Sequence, residues 1–110
     1  MNIGSRSFME AKRMRFLVLG KVQGVSFRYY TAREAGRMGL GGWVRNLPDG
    51  SVEVFAQGPA DEVDYLFKWA HHGPEFASVK GVRLIEEEFV SARDGRTGEF
   101  DLPVTFEIRY

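Results

Sequence analysis

Two short stretches of this chain carry residues whose types and spacing suit chemistry. The first is residues 20–28, Gly-Lys-Val-Gln-Gly-Val-Ser-Phe-Arg, which has two cations, Lys21 and Arg28, no carboxylate, and Gly24 near its centre. Successive backbone N–H groups in such a loop can converge on one oxyanion, and a following helix N-terminus adds its positive end. Arg28 can close a two-pronged fork over a pair of phosphate oxygens. The competing reading is a plain surface connection between a strand and a helix. The second stretch is Trp43-Val44-Arg45-Asn46. The Asn46 amide has one acceptor and two donors, and it either caps the turn that follows or orients a water molecule through its carbonyl. A neutral amide is not a strong base. It suits a reaction whose leaving group departs unaided, where placing water in line and spreading phosphoryl charge supply most of the acceleration. Mixed carboxylic–phosphoric anhydrides meet that condition, because their carboxylate needs no proton to leave.

The other candidates are weaker. With no cysteine in the chain, thiol catalysis, a disulfide framework and cysteine-ligated metal sites are excluded. His71 and His72 fall at the end of an amphipathic run, where a cation is favourable, and read as a solvated helix terminus. Glu86, Glu87 and Glu88 are consecutive on a strand and so point alternately to opposite faces, which suits a solvated edge better than a metal site. Trp43 and Phe55 read as packing residues before they read as a platform for a nucleic-acid base.

The elements that position these residues follow from periodicity. Residues 1–12 lack sustained periodicity, so residues 1–13 are expected to form a mobile arm, with one folded domain over 14–110. From Arg15, Phe16, Val18 and Val22 fall on one strand face and Leu17 and Leu19 on the other, the pattern of a central strand. Phe27, Thr31, Ala35 and Met38 recur at helical spacing up to Gly39. Residues 43–46 and 51–57 flank Leu-Pro-Asp-Gly and make a hairpin. Val63, Leu66, Phe67 and Ala70 form the stripe of a second helix, stopped by Gly73-Pro74. Residues 79–86 read as a strand with a bulge near Gly81. The acidic run and residues 91–103 read as a polar excursion, and Val104, Phe106, Ile108 and Tyr110 as a closing strand.

The order βαββαβ plus a short last strand predicts a ferredoxin-like α+β sandwich, with two helices on one face of a mainly antiparallel sheet. A right-handed crossover then brings the turn at 47–50 to the same sheet end as the 20–28 loop, so Arg28 and Asn46 can meet. If the last two strands run antiparallel, Tyr110 also returns to that end, where its carboxylate could pair with Arg28.

One hundred and ten residues suffice for one domain with a real core. The composition, 44% hydrophobic and 27% charged, is that of an ordinary globular chain rather than a disordered one. Fifteen basic and fifteen acidic residues cancel, so no global field favours nucleic acid or an anionic membrane. No apolar run approaches the roughly eighteen residues of a membrane span, and the start lacks an export signal. A cytoplasmic protein is expected.

These residues resemble the acylphosphatase family. Residues 20–28 are similar to its first signature, and Gly42-Trp43-Val44-Arg45-Asn46, followed by Gly50, Val52 and Gly58, to its second. The resemblance runs from about Met14 to Tyr110 and includes a Phe-x-Ile closing strand at 106–108. It implies a ferredoxin-like fold and hydrolysis of acyl phosphates without metal or organic cofactor. It also implies phosphate held by Arg28 and the backbone amides of Gln23, Gly24, Val25, Ser26, Phe27 and Arg28, and water positioned by Asn46. The expected partner is a small-molecule acyl phosphate, with neither nucleic acid nor membrane, and the expected state a monomer. The alternative is a ferredoxin-like module that binds RNA or a regulatory ligand; for RNA the third strand offers only Phe55.

Overall fold

A computed structural model describes residues 10–91 and 105–110. Five strands, β1 (Glu10–Lys21), β2 (Gly41–Asn46), β3 (Val52–Pro59), β4 (Ser78–Ser91) and β5 (Phe106–Arg109), form one sheet in the order β4-β1-β3-β2-β5. Helices α1 (Phe27–Arg37) and α2 (Ala60–Ala70) pack against β1, β2 and β3. β3 runs antiparallel to both β1 and β2, so β1 and β2 point the same way, and β5 runs parallel to β2. The C-terminal ends of β1, β2 and β5 therefore share one end of the sheet. This is the expected ferredoxin-like α+β architecture.

Period-two burial makes the core. Phe16 and Val18 of β1, Val44 of β2 and Val52 and Val54 of β3 have no exposed surface and meet Val63 and Leu66 from α2 and Ala35 from α1. The Phe16 ring meets Phe67 edge-on at 5.1 Å, and Phe27 at the start of α1 packs on Trp69 at 5.8 Å. Burying a residue such as Phe27 contributes on the order of 2 kcal/mol, enough to pin the first turn of α1 beneath the loop that precedes it. Gly20 reflects a close approach of backbones: a Cβ there would stand 2.3 Å from the Ser78 carbonyl oxygen of β4.

Two expectations are corrected at the β1–β4 ladder. Residues 10–13, read as part of an arm, belong to β1, and Glu87, Glu88 and Ser91, read as part of a polar excursion, continue β4 beyond Glu86. The cause is charge complementarity across the ladder. Arg13 reaches Glu88 at 3.6 Å and Arg15 reaches Glu86 at 3.3 Å on the face away from the helices. On the helix side, Lys12 Nζ donates to Glu87 at 2.7 Å and Asp64 at 2.6 Å, and lies 4.6 Å from the Phe89 ring centroid. The three glutamates do alternate between faces, but each meets a cation. Register shifts by one residue beside Gly81, leaving Lys80 unpaired, and again at Ile85. Residues 1–9 of the expected arm, residues 92–103 of the excursion and Val104 lie outside the described residues.

The face away from the helices carries a row of alternating charge. Glu53, with its side chain 5% exposed, accepts from Arg15 at 2.8 Å and from Arg45 at 2.7 Å. Burial pushes the Glu53 carboxyl up, but the hydrogen bonds from Arg15 and Arg45, with their charges, outweigh it and hold the group below the ordinary carboxylate range. A depressed folded pKa adds stability above the unfolded value of about 4.3, which is lost as pH falls through the folded value. Glu53→Gln should therefore lower stability by about 2 kcal/mol near neutral pH. Urea denaturation of both proteins at about pH 7 and about pH 3 should show the gap closing in acid. An equal gap at both would contradict this role.

Candidate active site

β1 delivers the loop of residues 22–26, and α1 begins at Phe27. Gly24 has φ +76°, yet a Cβ there would meet nothing within 4 Å, so the backbone dihedral and not space calls for glycine. Ser26 also takes the left-handed conformation, φ 63° and ψ 25°, at the N-cap of α1, with no side-chain capping bond. For a non-glycine residue this is strained by about 1–2 kcal/mol. Its effect is to turn the chain sharply into α1 without a side-chain cap on the first amides of the helix. The Ser26 carbonyl still accepts the first helical bond, from Tyr30 N at 3.1 Å.

β2 delivers Asn46 to the same sheet end, directly before the hairpin turn. Leu47 N donates to the Ser51 carbonyl at 2.8 Å, and Gly50 N to the Leu47 carbonyl at 3.1 Å. Asp49 Oδ1 accepts from Ser51 N at 3.0 Å and Ser51 Oγ at 2.6 Å, bonds that hold its carboxyl below the ordinary value. The turn thus closes without the Asn46 side chain, which makes no hydrogen bond among the described residues. The capping alternative for Asn46 loses its basis.

β5 closes the third side. Ile108 packs against the core, and alternation puts Tyr110 on the same side. Arg28 Nη1 donates to the Arg109 carbonyl at 3.1 Å, and the guanidinium carbon lies 4.6 Å from the Tyr110 ring centroid. Tyr110 thus reaches Arg28 as expected, but through its ring and the preceding carbonyl; among the described residues, no carboxylate pairs with Arg28. Both partners are neutral and leave the cationic charge available to an anion. β4 and β5 do run in opposite senses, although three strands separate them.

Val22, Gly24, Ser26, Phe27, Arg28, Tyr29, Asn46, Ile108 and Tyr110 line one cleft of about 370 Å³. Arg28 and Asn46 are therefore brought together. Val25 packs against the core. Among the described residues the lining includes no side-chain carboxylate, histidine or lysine, and no group of three or more His, Asp or Glu is placed to hold a metal ion. His71 lies beyond α2, Nδ1 2.9 Å from the Phe67 carbonyl oxygen, in keeping with a helix terminus. Trp43 and Phe55 stack on one another at 5.9 Å on the face away from the helices, with Arg45 and Arg109 flanking Trp43. What sequence reasoning missed is the side chain of Gln23, whose Nε2 donates to the carbonyls of Leu47 at 2.8 Å and Ser51 at 2.9 Å. The one local signal is a polar side chain between Val22 and Gly24, which does not identify its partners.

Fold and cleft define a small ferredoxin-like protein with a cleft, lined by Arg28 and Asn46, where the loop after β1 meets the turn after β2. The acylphosphatase family model matches residues 14–98, and the chain belongs to that family. It is 51% identical over 84 residues to an acylphosphatase of Rubrobacter xylanophilus, covering 76% of each chain. It is 41% identical over 102 residues to one from Syntrophobacter fumaroxidans, covering 93% of this chain and 95% of the other. Among solved structures, the acylphosphatase from Bacillus subtilis superimposes with a TM-score of 0.71 at 32% identity, over 90% of this chain and 99% of that one. Among the described residues, no helix is long and apolar enough to cross a membrane.

Proposed function

We propose that this chain hydrolyses the carboxyl–phosphate anhydride of small acyl phosphates, with the backbone amides of residues 23–28 and the Arg28 guanidinium holding the phosphoryl group and Asn46 aiming the water. The observation that carries the reading is the make-up of the cleft: one arginine, one carboxamide, a glycine-containing loop at a helix N-terminus, and no side-chain carboxylate or histidine among the described lining residues. Such a site binds a phosphoryl dianion well and has no carboxyl or imidazole side chain among its described lining residues to protonate a leaving alkoxide.

The water oxygen forms a bond to phosphorus as the bond from phosphorus to the acyl oxygen breaks, and the electron pair of that bond leaves with the carboxylate. Both water protons end on the phosphate, one on the new oxygen and one on a phosphoryl oxygen. A dianionic acyl phosphate and water thus give a carboxylate and dihydrogen phosphate, and no proton passes through the protein. Asn46 accepts a hydrogen bond from the water and holds it in line, while the loop amides and Arg28 stabilise charge on the phosphoryl oxygens.

Leaving-group dependence tests the proposal. The purified chain should hydrolyse acetyl phosphate and benzoyl phosphate while leaving an alkyl phosphate monoester, whose alkoxide needs a proton, essentially untouched. Comparable rates on both substrate types would overturn it.

A further inference from the structure

The two strand ends that frame the cleft are linked by one side chain. Gln23 Nε2 donates to the Leu47 carbonyl at 2.8 Å and to the Ser51 carbonyl at 2.9 Å, contacts 24 and 28 residues away in the chain. Leu47 directly follows Asn46, and Gln23 directly precedes Gly24, where the loop turns. The same two carbonyls already accept backbone bonds, Ser51 from Leu47 N at 2.8 Å and Leu47 from Gly50 N at 3.1 Å. The hairpin is therefore closed with or without Gln23. What the carboxamide adds is a fixed separation between the hairpin and the loop, and with it between Asn46 and the amides at the start of α1.

We propose that Gln23 is a positioning residue for the reaction, its side chain setting where the Asn46 carboxamide stands relative to the bound phosphoryl group. This goes beyond the use of its backbone amide and rests on the reading of Asn46 as the group that aims the water. Both N–H groups of the carboxamide are needed, because two carbonyl acceptors converge on one nitrogen. A methionine of similar length fills the space and donates nothing, and a glutamate carboxylate would face two carbonyl oxygens with no proton to offer. A misplacement of about 1 Å at a reacting centre can lower a rate by about 100-fold.

The test is a cycle of Gln23→Met, Asn46→Ala and the double variant, with kcat for acetyl phosphate and the inhibition constant for inorganic phosphate measured on folded protein. Gln23→Met should lower kcat by about 10- to 100-fold and change the phosphate constant by less than about threefold. In the Asn46→Ala background the same change should lower kcat by less than about threefold, because the group it positions is gone. A merely structural role would lower the melting temperature without producing that loss of additivity. If Gln23→Met keeps the parent kcat, or its full effect reappears beside Asn46→Ala, the inference fails while the Asn46 reading stands. If Asn46→Ala itself keeps the parent kcat, that reading fails and takes the inference with it. Should Gln23→Met not fold, Gln23→Glu takes its place with the same outcomes.

Discussion

Replacing Asn46 by Ala is expected to lower kcat by about 100-fold or more while changing the inhibition constant of inorganic phosphate by no more than a few-fold. The expectation follows from where Asn46 sits and what it lacks. It lines the cleft with Arg28, and the hairpin beside it is closed by Leu47, Asp49, Gly50 and Ser51, so removing the carboxamide leaves the fold and the phosphate loop intact. A neutral amide also cannot contribute as a base, so its whole effect must come through orientation. Steady-state kinetics on acetyl phosphate, with product inhibition by phosphate, separates the two parameters. A variant with the parent turnover would remove Asn46 from the mechanism.

Arg28→Ala should lose both parameters: kcat/KM falling by about 1000-fold or more, with phosphate inhibition weakened in parallel. The guanidinium is the only cation lining the cleft among the described residues, and its resting partners, the Arg109 carbonyl and the Tyr110 ring, are neutral. Arg28→Lys should recover only part of the loss, since an ammonium supplies charge without the planar fork. Truncation also releases β5, whose contact with α1 includes the bond to the Arg109 carbonyl; that bond and the cation–π contact contribute about 1 kcal/mol each. Melting curves therefore accompany the kinetics, and turnover is compared on folded protein. Parent-like affinity in Arg28→Ala would contradict the assignment.

Much of this arrangement is legible in the sequence because it depends on short-range rules. Alternation in β2 and β3, helical spacing in α1 and α2, and the handedness of crossovers together bring Arg28 and Asn46 to one end of the sheet. Where reading failed, the determinant lay across the fold. Lys12 and Arg13 look like part of a mobile arm, and Glu87 and Glu88 like an excursion, until β1 and β4 are set side by side and each charge finds its opposite. Nothing local identifies Leu47 and Ser51 as partners of Gln23. Ser26 is hidden for another reason: an L-residue with positive φ has no compositional mark, and glycine at 24 draws attention away from it. The Tyr110 contact was anticipated by topology but not by atom, because strand alternation turns the ring toward Arg28.

In the proposed reaction, loop amides and a guanidinium grip a phosphoryl group while a carboxamide at the end of β2 aims water at it. A crystal structure of the chain with inorganic phosphate bound tests it most directly. Phosphate oxygens should lie within hydrogen-bond reach of the amides of residues 23–28, with Arg28 across two of them and the Asn46 carboxamide beside the face opposite the leaving oxygen. Phosphate bound elsewhere, or in the loop with Asn46 turned away and no room for water between them, would contradict it.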